Sequence, residues 1–348
     1  MTRQLLVFSA RLFAALCLLI VVWPAKRALA GDWHVARRVV LGGDGGWDFL
    51  TLDAAGHRLF IVRSDRVTVV DTDTDHAIGE IPGLHKGHGV ALASQTGHGF
   101  VTSGGDGTVT MFDATSLKAL GMTPAADDAD SIIYDPASSQ VVTFNGDGNS
   151  ATAVDPATGK AIRTVPLGGK PDVGVSAGNG KLYVNIQDKS EVAELDAKSL
   201  AVTRRWPIAP CESPSALAID EAHHRLFSVC RNKLMGVSDA DAGHLLTTVP
   251  IGEKVDGAAY DPSTGDAFAS NGEGTLTVVH EDTPDTFHVV STVTTMPGAR
   301  TMALAPKGDR IYTVSAEFGP APAEPTPDNP RRRPPVLPGT FTLLVLER

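Results

Sequence analysis

Six ionisable side chains stand at matching places in six segments of similar sequence. They are Asp48, His88, Asp130, Asp172, Asp256 and Arg300. Carboxylates that lie close together repel one another, so their pKa values rise unless a cation joins them. If the fold gathers these side chains, we expect them to bind a small ligand, a cation or a protein partner. The alternative is that each aspartate only caps its own turn by accepting a backbone N–H.

Two histidines in the loop His85-Lys-Gly-His88 add a possible metal site. Imidazole nitrogens and carboxylate oxygens are common ligands of divalent metal ions. His85 and His88 would lie on one loop, with aspartates of other segments across from them. A divalent metal ion is therefore the one cofactor that we consider, and solvated loop histidines remain the alternative.

The segments that carry these residues belong to a repeat. A strand–turn–strand unit occurs seven times. The copies can be aligned by the residue that opens the first turn of each, which is Asp53, Ser94, Asp135, Ser176, Asp220, Asp261 or Ala305. Successive residues of this set are 41 or 44 positions apart. A period of about 40–45 residues is typical of propeller blades, which have four strands each. We predict an all-β fold, a seven-bladed β-propeller.

The seventh copy is not followed by a segment that could form its fourth strand. WHVARRVVLGG, residues 33–43, is similar to the fourth strands AIRTVPLGG and LLTTVPIGE. We expect this N-terminal segment to pair with the last blade, because that pairing removes an open sheet edge. TFTLLVLER, residues 340–348, is then the third strand of blade seven. The first strand of each blade lines the channel of a propeller, so the six ionisable residues should surround one channel mouth.

The repeat also resembles a known family. ATAVDPATGKAIRTVPLGGKPDVGVSAGNGKLYVN, residues 151–185, and VTVVDTDTDHAIGEIP, residues 67–82, are similar to bacterial exported YVTN-repeat propellers, often called YncE-like. The resemblance extends over nearly all of the chain after residue 30. It implies a seven-bladed exported propeller. It does not imply a reaction, since fold alone does not give function.

The N-terminus predicts export. Residues 1–30 contain basic residues, a short apolar run and a small-x-small site that ends at Ala30, which are the features of a signal peptide. We expect cleavage near Ala30, a periplasmic or secreted protein, and residues 31–348 as a single propeller domain. That mature chain has no candidate transmembrane segment. An uncleaved N-terminal anchor is the alternative.

The charge excludes one class of partner. The formal net charge of the whole chain is -10, and removal of residues 1–30 takes away four basic and no acidic side chains. Duplex DNA is bound by basic surfaces that neutralise its phosphates, so we expect no duplex nucleic-acid partner. We expect a monomer with a small-ligand or protein partner.

A proline-rich segment interrupts the last blade. Residues 316–340 should form the loop between its second and third strands, because proline cannot donate a hydrogen bond to a sheet. Long loops on rigid scaffolds are often lids, so we predict that this loop folds over the channel mouth. One or more of Arg331, Arg332 and Arg333, or else Arg300, would pair with the aspartates. A disordered excursion and a proline-rich ligand for another domain are the alternatives.

Two cysteines remain after residue 30. Cys230 ends the second strand of blade five, opposite about residue 215, and Cys211 comes four residues before that position. An exported protein meets an oxidising compartment, so a disulfide between Cys211 and Cys230 is expected. Free thiols are the alternative.

The sequence supports two classes of function. The first is a non-catalytic binding or interaction module with its site at the acidic mouth under the loop of residues 316–340. No nucleophile–base constellation is evident, which favours this class. The second is a lactonase-, lyase- or quinoprotein-like propeller enzyme that uses the aspartates, His88 and Arg300 as acids, bases or anion-holding groups, with or without a metal.

Overall fold

Twenty-eight β-strands form seven four-stranded antiparallel sheets in a computed structural model of the protein. The structure describes residues 32–326, 329 and 332–348. The strands belong to the unit Trp33–Arg348, and the predicted signal peptide lies outside the described residues. The predicted seven-bladed all-β propeller is confirmed. No helix within the described ranges is long and apolar enough to cross a membrane.

The first four blades follow one another along the chain. Blade 1 has β2 (Trp47–Asp53), β3 (Arg58–Arg63), β4 (Arg66–Asp71) and β5 (His76–Pro82). Blade 2 has β6 (Gly87–Ala93), β7 (His98–Ser103), β8 (Thr108–Asp113) and β9 (Ala119–Pro124). Blade 3 has β10 (Ala129–Asp135), β11 (Gln140–Asn145), β12 (Ser150–Val154) and β13 (Ala161–Pro166). Blade 4 has β14 (Pro171–Ser176), β15 (Lys181–Ile186), a 3-10 turn (Gln187–Lys189), β16 (Glu191–Asp196) and β17 (Val202–Pro207).

The last three blades have the same order, apart from the closing strand. Blade 5 has β18 (Pro214–Asp220), β19 (Arg225–Cys230), β20 (Leu234–Asp239) and β21 (His244–Pro250). Blade 6 has β22 (Val255–Asp261), β23 (Asp266–Asn271), β24 (Thr275–Thr283) and β25 (Thr286–Thr294). Blade 7 has β26 (Met302–Leu304), β27 (Arg310–Ser315), β28 (Thr342–Glu347) and the N-terminal β1 (His34–Val40).

The N-terminal strand closes the ring as predicted. β1 pairs antiparallel with β28, with His34 opposite Glu347 and Val40 opposite Thr342. The first strand of each blade contacts the first strand of the next blade, and β26 contacts β2. These contacts complete the circle, so the segments that lead into the seven first strands share one face of the molecule.

Burial follows from the stacking of the blades. The second strands are buried almost continuously, because both faces of each sheet pack against neighbouring sheets. The fourth strands alternate and are largely exposed at the rim. One apolar cluster joins blade 1 to blade 7 through Trp47, Leu59, Tyr312 and Phe341, so the closure of the ring is also a hydrophobic contact.

The two cysteines form the expected disulfide. Pro214 is the pairing partner of Cys230 in the first hairpin of blade 5, and Cys211 lies three residues before it. The Cα atoms of Cys211 and Cys230 are 5.6 Å apart, and their sulfur atoms are bonded. Both residues are fully buried. The bond therefore fastens the segment leading into β18 to the end of β19.

The base of the proline-rich loop is ordered by pairing. Phe318 forms an isolated antiparallel bridge with Val336, and the Gly319 N–H donates to the Pro335 carbonyl at 2.9 Å. The Phe318 ring lies 6.0 Å from that of Trp47. Most described residues between Gly319 and Pro335 are exposed. The loop thus leaves from the mouth-side face beside Trp47, and covering of the mouth by its tip stays a prediction.

Candidate functional site

The mouth residues lie at irregularities in the first strands. In blades 1 to 6 the pairing between first and second strands shifts register near the start of the first strand. The shifted stretches contain Asp48, His88, Asp130, Asp172, Ser215 and Asp256. A bulge bends a strand and re-aims its side chains, and bulges are common beside functional sites. The sequence predicted these positions but gave no sign of the bulges.

Buried hydroxyl groups fix the backbone at the mouth. Thr301 Oγ1 donates to the Asp48 carbonyl at 2.7 Å, and Thr102 Oγ1 donates to the Asp130 carbonyl at 2.6 Å. Ser131 Oγ donates to the Asp172 carbonyl at 2.7 Å. Each bond joins one blade to the next. The carboxylates therefore project from backbone that neighbouring blades hold in place.

A buried arginine anchors the segment that leads into β2. Arg63 Nη2 donates to the carbonyls of Asp44 at 2.8 Å and Gly45 at 3.0 Å, and Arg63 Nε donates to Gly46 at 3.0 Å. Its guanidinium also lies 3.6 Å from the centre of the Phe341 ring. Burial lowers the pKa of Arg63 to about 10. Arg63 thus uses its donors on backbone rather than on the carboxylates of the mouth.

His88 joins three blades at the mouth. Its Nδ1 atom lies 2.6 Å from an Asp48 carboxylate oxygen and 3.3 Å from one of Asp130. Its Nε2 atom is buried 3.8 Å from an Asp128 carboxylate oxygen and has no hydrogen-bond partner among the described residues. Burial lowers the pKa of His88, but the hydrogen bond to Asp48 and the charges of Asp130 and Asp128 outweigh it, so the net pKa is raised. The imidazole is therefore disposed to carry a proton in this cluster.

Asp128 is a neighbour that sequence analysis missed. It precedes β10 with a left-handed backbone (φ 55°) and lies 2.7 Å from Lys86 Nζ and 3.7 Å from Lys170 Nζ. Burial raises the pKa of Asp128, but the hydrogen bond and charge of Lys86 outweigh it and give a lowered pKa. The repeat offered no signal for Asp128, because it stands before the aligned position rather than at it.

Arg300 is the cation that reaches the aspartates. Arg300 Nε lies 3.0 Å from Asp256 Oδ2, and Nη2 lies 3.7 Å from Asp48 Oδ1. Nη2 also donates to the Trp47 carbonyl at 2.7 Å. The guanidinium thus bridges blades 6 and 1 from its own position in blade 7. This is the pairing that the sequence predicted for Arg300 as one of several arginines.

Asp172 has the least compensated charge. It is 7% exposed, and Gln187 of the 3-10 turn donates to it at 2.5 Å. Among the described residues no Lys, Arg or His lies within ion-pair distance of its carboxylate. Gln187 was missed by sequence analysis, because the short turn that carries it is specific to blade 4.

The electrostatics show a shortage of positive charge. Burial is the main cause that raises the pKa of Asp130 to about 7, with the charges of Asp48, Asp128 and Asp256 adding to the effect and the charge of His88 opposing it. Burial also raises the pKa of Asp172 well above its ordinary value, and the charges of Asp130 and Asp256 add more to the shift than the opposing charge of Arg231 removes. The pKa of Asp256 is raised by burial despite Arg300. An additional cation would be stabilised among these carboxylates.

Other predicted site residues lie elsewhere. The His85 side chain is 74% exposed, and its Nδ1 lies 3.5 Å from Asp106. Arg332 Nε donates to the Pro322 carbonyl within the loop, and Arg333 exchanges hydrogen bonds with Asn329. Arg331 lies outside the described residues. The Arg332 side chain therefore bonds within its own loop and the bonds of Arg333 are made by its backbone, whereas Arg300 pairs with the aspartates.

One set of mouth residues could hold a metal ion. Ligand atoms of Asp48, His88 and Asp130 lie within 4.8 Å of one another. Of the two histidines predicted as metal ligands, His88 belongs to this set. His85 does not join it, since the loop turns its ring outward to Asp106. Two carboxylates and an imidazole suit a divalent ion, which would have to displace the proton of His88.

Comparisons with known proteins support the fold. No family model matches the chain, and no curated protein matches it. Solved structures do match: a chain of the mitotic checkpoint complex has 13% identity and a TM-score of 0.73 over 97% of this chain and 99% of that chain. The WD40 propeller domain of Doa1 has 14% identity and a TM-score of 0.68 over 91% and 97%. A chain of hydrazine synthase from Kuenenia stuttgartiensis has 16% identity and a TM-score of 0.67 over 84% and 95%.

These likenesses define the class of the protein as a seven-bladed β-propeller. The identities are all low, so they establish the fold alone. The resemblance to YncE-like exported propellers stays a prediction from sequence.

Proposed function

We propose that this protein is an exported, non-catalytic binding module that holds a cationic group of its ligand at the acidic channel mouth. The observation that carries this proposal is the buried carboxylate of Asp172, whose pKa is raised by burial and by the charges of Asp130 and Asp256 more than the charge of Arg231 lowers it. Buried charges are stable when they are paired, so a positive group from a ligand would complete the site. Residues 1–30 and the YncE-like resemblance support export.

The cationic group should be an ammonium or a guanidinium of a small molecule or a protein side chain. Arg300 already neutralises Asp256 and Asp48, and His88 already bonds Asp48. Asp172 and Asp130 are left to receive the incoming charge. Such groups form charge-assisted hydrogen bonds with carboxylates, which are about twice as strong as neutral ones. A propeller that receives a basic side chain of a partner would also act as an interaction module.

Isothermal titration calorimetry with simple cations tests the proposal. We expect arginine amide and lysine amide to bind with a stoichiometry of one and with Kd values between about 1 µM and 1 mM. Citrulline amide is the matched control, because it has the shape of arginine amide without the charge, and it should not bind detectably. If neither cation binds, or if citrulline amide binds equally well, the proposal is wrong.

Metal salts form a separate arm of the same experiment. Calcium and zinc chlorides should compete weakly or not at all with arginine amide. If instead one metal ion binds at the mouth, excludes arginine amide and is lost in His88→Gln, the site is a metal centre and not a site for an organic cation. That outcome would favour the second candidate function.

The second candidate is an acid–base enzyme, which one observation favours. The pKa of Asp130 is raised to about 7 by burial, and this carboxyl lies 3.3 Å from His88, which is itself bonded to Asp48. A group with a pKa near the working pH is well suited to donate and accept protons. Turnover of lactone or ester substrates that is lost in His88→Gln would support the enzyme. A binding module should keep its ligand affinity in that variant.

A further inference from the structure

A second cluster of ionisable residues lies on the face opposite the mouth. Asp220 ends β18 and His223 lies in the turn that follows, both in blade 5. Glu281 lies near the end of β24 in blade 6. First strands run from the mouth to the opposite face, and third strands do the same. The cluster therefore joins blades 5 and 6 at the ends of the strands that lie opposite Asp172 and the other mouth residues.

The three ligand atoms converge. His223 Nδ1 lies 2.6 Å from Asp220 Oδ2 and 3.2 Å from Glu281 Oε1, and all three atoms lie within 4.8 Å of one another. The carboxylate side chains are only 2% and 3% exposed, whereas the His223 side chain is 51% exposed. Glu281 Oε1 is buried, and within the part of the chain that the structure describes it accepts no hydrogen bond of good geometry. Two buried carboxylates thus face one accessible imidazole.

Neighbouring groups orient Glu281 without neutralising it. Tyr260 donates its hydroxyl to Glu281 Oε2 at 2.8 Å, which leaves Oε1 directed at His223. The Tyr260 ring is stacked on Phe227 with centroids 5.2 Å apart, so its hydroxyl is held in place. Burial raises the pKa of Glu281, and the charge of Asp220 raises it further against Tyr260 and His223.

The nearest arginine is committed elsewhere. Arg225 lies 3.1 Å from carboxylates of Asp239 and Asp285, and its Nε donates to the Pro284 carbonyl at 2.6 Å. Its contact with the turn is through the carbonyl of His223, at 3.0 Å. The charge of Arg225 acts on Glu281 only as the weakest of the named effects, so direct ion pairing between Asp220 and Glu281 is left to the imidazole or to an ion.

We propose that Asp220, His223 and Glu281 form a divalent transition-metal site of the zinc class that joins blade 5 to blade 6. One imidazole nitrogen and two carboxylate oxygens are ligands that Zn²⁺ accepts, with metal–ligand distances of about 2.0–2.2 Å. Tetrahedral coordination at those distances needs ligand atoms about 3.3 Å apart. The 3.2 Å between His223 Nδ1 and Glu281 Oε1 already fits this separation. A small rotation of the exposed imidazole lengthens the 2.6 Å between His223 Nδ1 and Asp220 Oδ2. Tyr260 then has the role of an outer partner that orients a ligand.

The half-exposed side of His223 leaves a coordination position open to solvent. Bound metal would link two blades in the folded state only, so it should raise the melting temperature in proportion to its occupancy. This inference does not depend on the proposed function of the mouth, because the two sites share no residue.

Equilibrium dialysis of the metal-free folded protein against Zn²⁺ tests the inference. We expect His223→Ala to bind one equivalent of Zn²⁺ fewer than the wild type. If some binding remains, it should be weaker by at least about 100-fold, the upper end of the loss caused by removing a residue that only orients a metal ligand. Glu281→Gln should have the same effect while it keeps an acceptor for Tyr260. His224→Ala is the matched control: His224 is in the same turn, is 42% exposed and lies 2.8 Å from Asp241, but belongs to no ligand cluster among the described residues.

A spectroscopic readout and a mouth variant make the result unambiguous. Co²⁺ in place of Zn²⁺ should give the intense visible absorption of a low-symmetry tetrahedral site, and this absorption should disappear in His223→Ala but not in His88→Gln. Equal Zn²⁺ binding by the wild type, His223→Ala and Glu281→Gln would overturn the inference. The three residues would then be an ion-paired group in which protonated His223 bridges Asp220 and Glu281.

Discussion

Replacement of Asp172 with asparagine should weaken binding of arginine amide by about 10–100-fold, the effect of losing one charge-assisted hydrogen bond. It should also stabilise the free protein above neutral pH by about 1–2 kcal/mol, because a buried carboxylate leaves a cluster that repels it. Asparagine keeps an oxygen for Gln187, which donates to Asp172 in the wild type. Loss of binding together with a gain of stability is the behaviour of a residue retained for function.

The pH dependence of that gain follows from the direction of the shift. The pKa of Asp172 is raised in the folded protein by burial and by Asp130 and Asp256. Its contribution to stability is therefore complete below the unfolded pKa, about 3.9, and is lost as the pH rises through the folded pKa. Asp172→Asn should equal the wild type near pH 3 and exceed it increasingly at higher pH. Urea unfolding at several pH values measures the difference.

Asp261→Asn is the matched control for this experiment. Asp261 is 1% exposed and caps its own turn, accepting from Ser263 and Thr264 on the opposite face of the propeller. Asparagine has one oxygen fewer, so this variant should lose about 1 kcal/mol and bind arginine amide normally. If Asp172→Asn instead loses stability like the control and keeps its affinity, Asp172 is a structural cap and not a ligand-binding residue.

Replacement of Arg300 with glutamine should destabilise the protein by about 2–3 kcal/mol at pH 8. The variant leaves Asp256 and Asp48 without the guanidinium that lies 3.0 and 3.7 Å from them. Removal of one partner of a buried ion pair costs about 3–5 kcal/mol, and the partial exposure of Arg300 lowers that figure. Urea unfolding of the wild type and the variant gives the value.

Acid should restore part of the stability lost in Arg300→Gln. Without Arg300 the pKa of Asp256 rises further, so the loss is largest at high pH and shrinks as the carboxyl takes up a proton. Arg310→Gln is the control: Arg310 has similar exposure and lies 3.2 Å from Glu347, which keeps Arg37 at 2.8 Å. The control should lose less than about 1 kcal/mol. If Arg300→Gln loses no more stability than Arg310→Gln, or if its loss does not depend on pH, Arg300 does not neutralise the mouth.

The architecture could be predicted because the repeat specifies it seven times. Turn-opening residues at a regular spacing fix the four-stranded unit, and the similarity of WHVARRVVLGG to the fourth strands fixes the closure. Asp130 and Asp172 were found for the same reason: a position in one blade has an equivalent in every other. The pairing of Cys211 with Cys230 was expected from hairpin register together with the oxidising compartment of an exported protein, and the structure has this disulfide.

The remaining parts of the site depend on features that do not repeat. Gln187 reaches Asp172 from a 3-10 turn that only blade 4 has among the described residues. The left-handed backbone of Asp128 recurs at the equivalent Lys86 and Lys254, but only Asp128 brings a carboxylate to that position. His85 and His88 have the same chemistry in one short loop, yet only the second lies at a bulge that turns it inward. That the proline-rich loop folds over the mouth stays a prediction, since proline restricts φ but does not specify long-range contacts.

The acidity of the aspartate ring can be measured directly by NMR of protein labelled with ¹³C at the aspartate carboxyl groups. The pKa of Asp130, which burial raises, should be near 7 in the free protein and should fall by at least about one unit when arginine amide saturates the mouth. Asp130→Asn identifies the signal. Titration of every aspartate near its ordinary value of about 3.9, with no change on addition of arginine amide, would contradict the account.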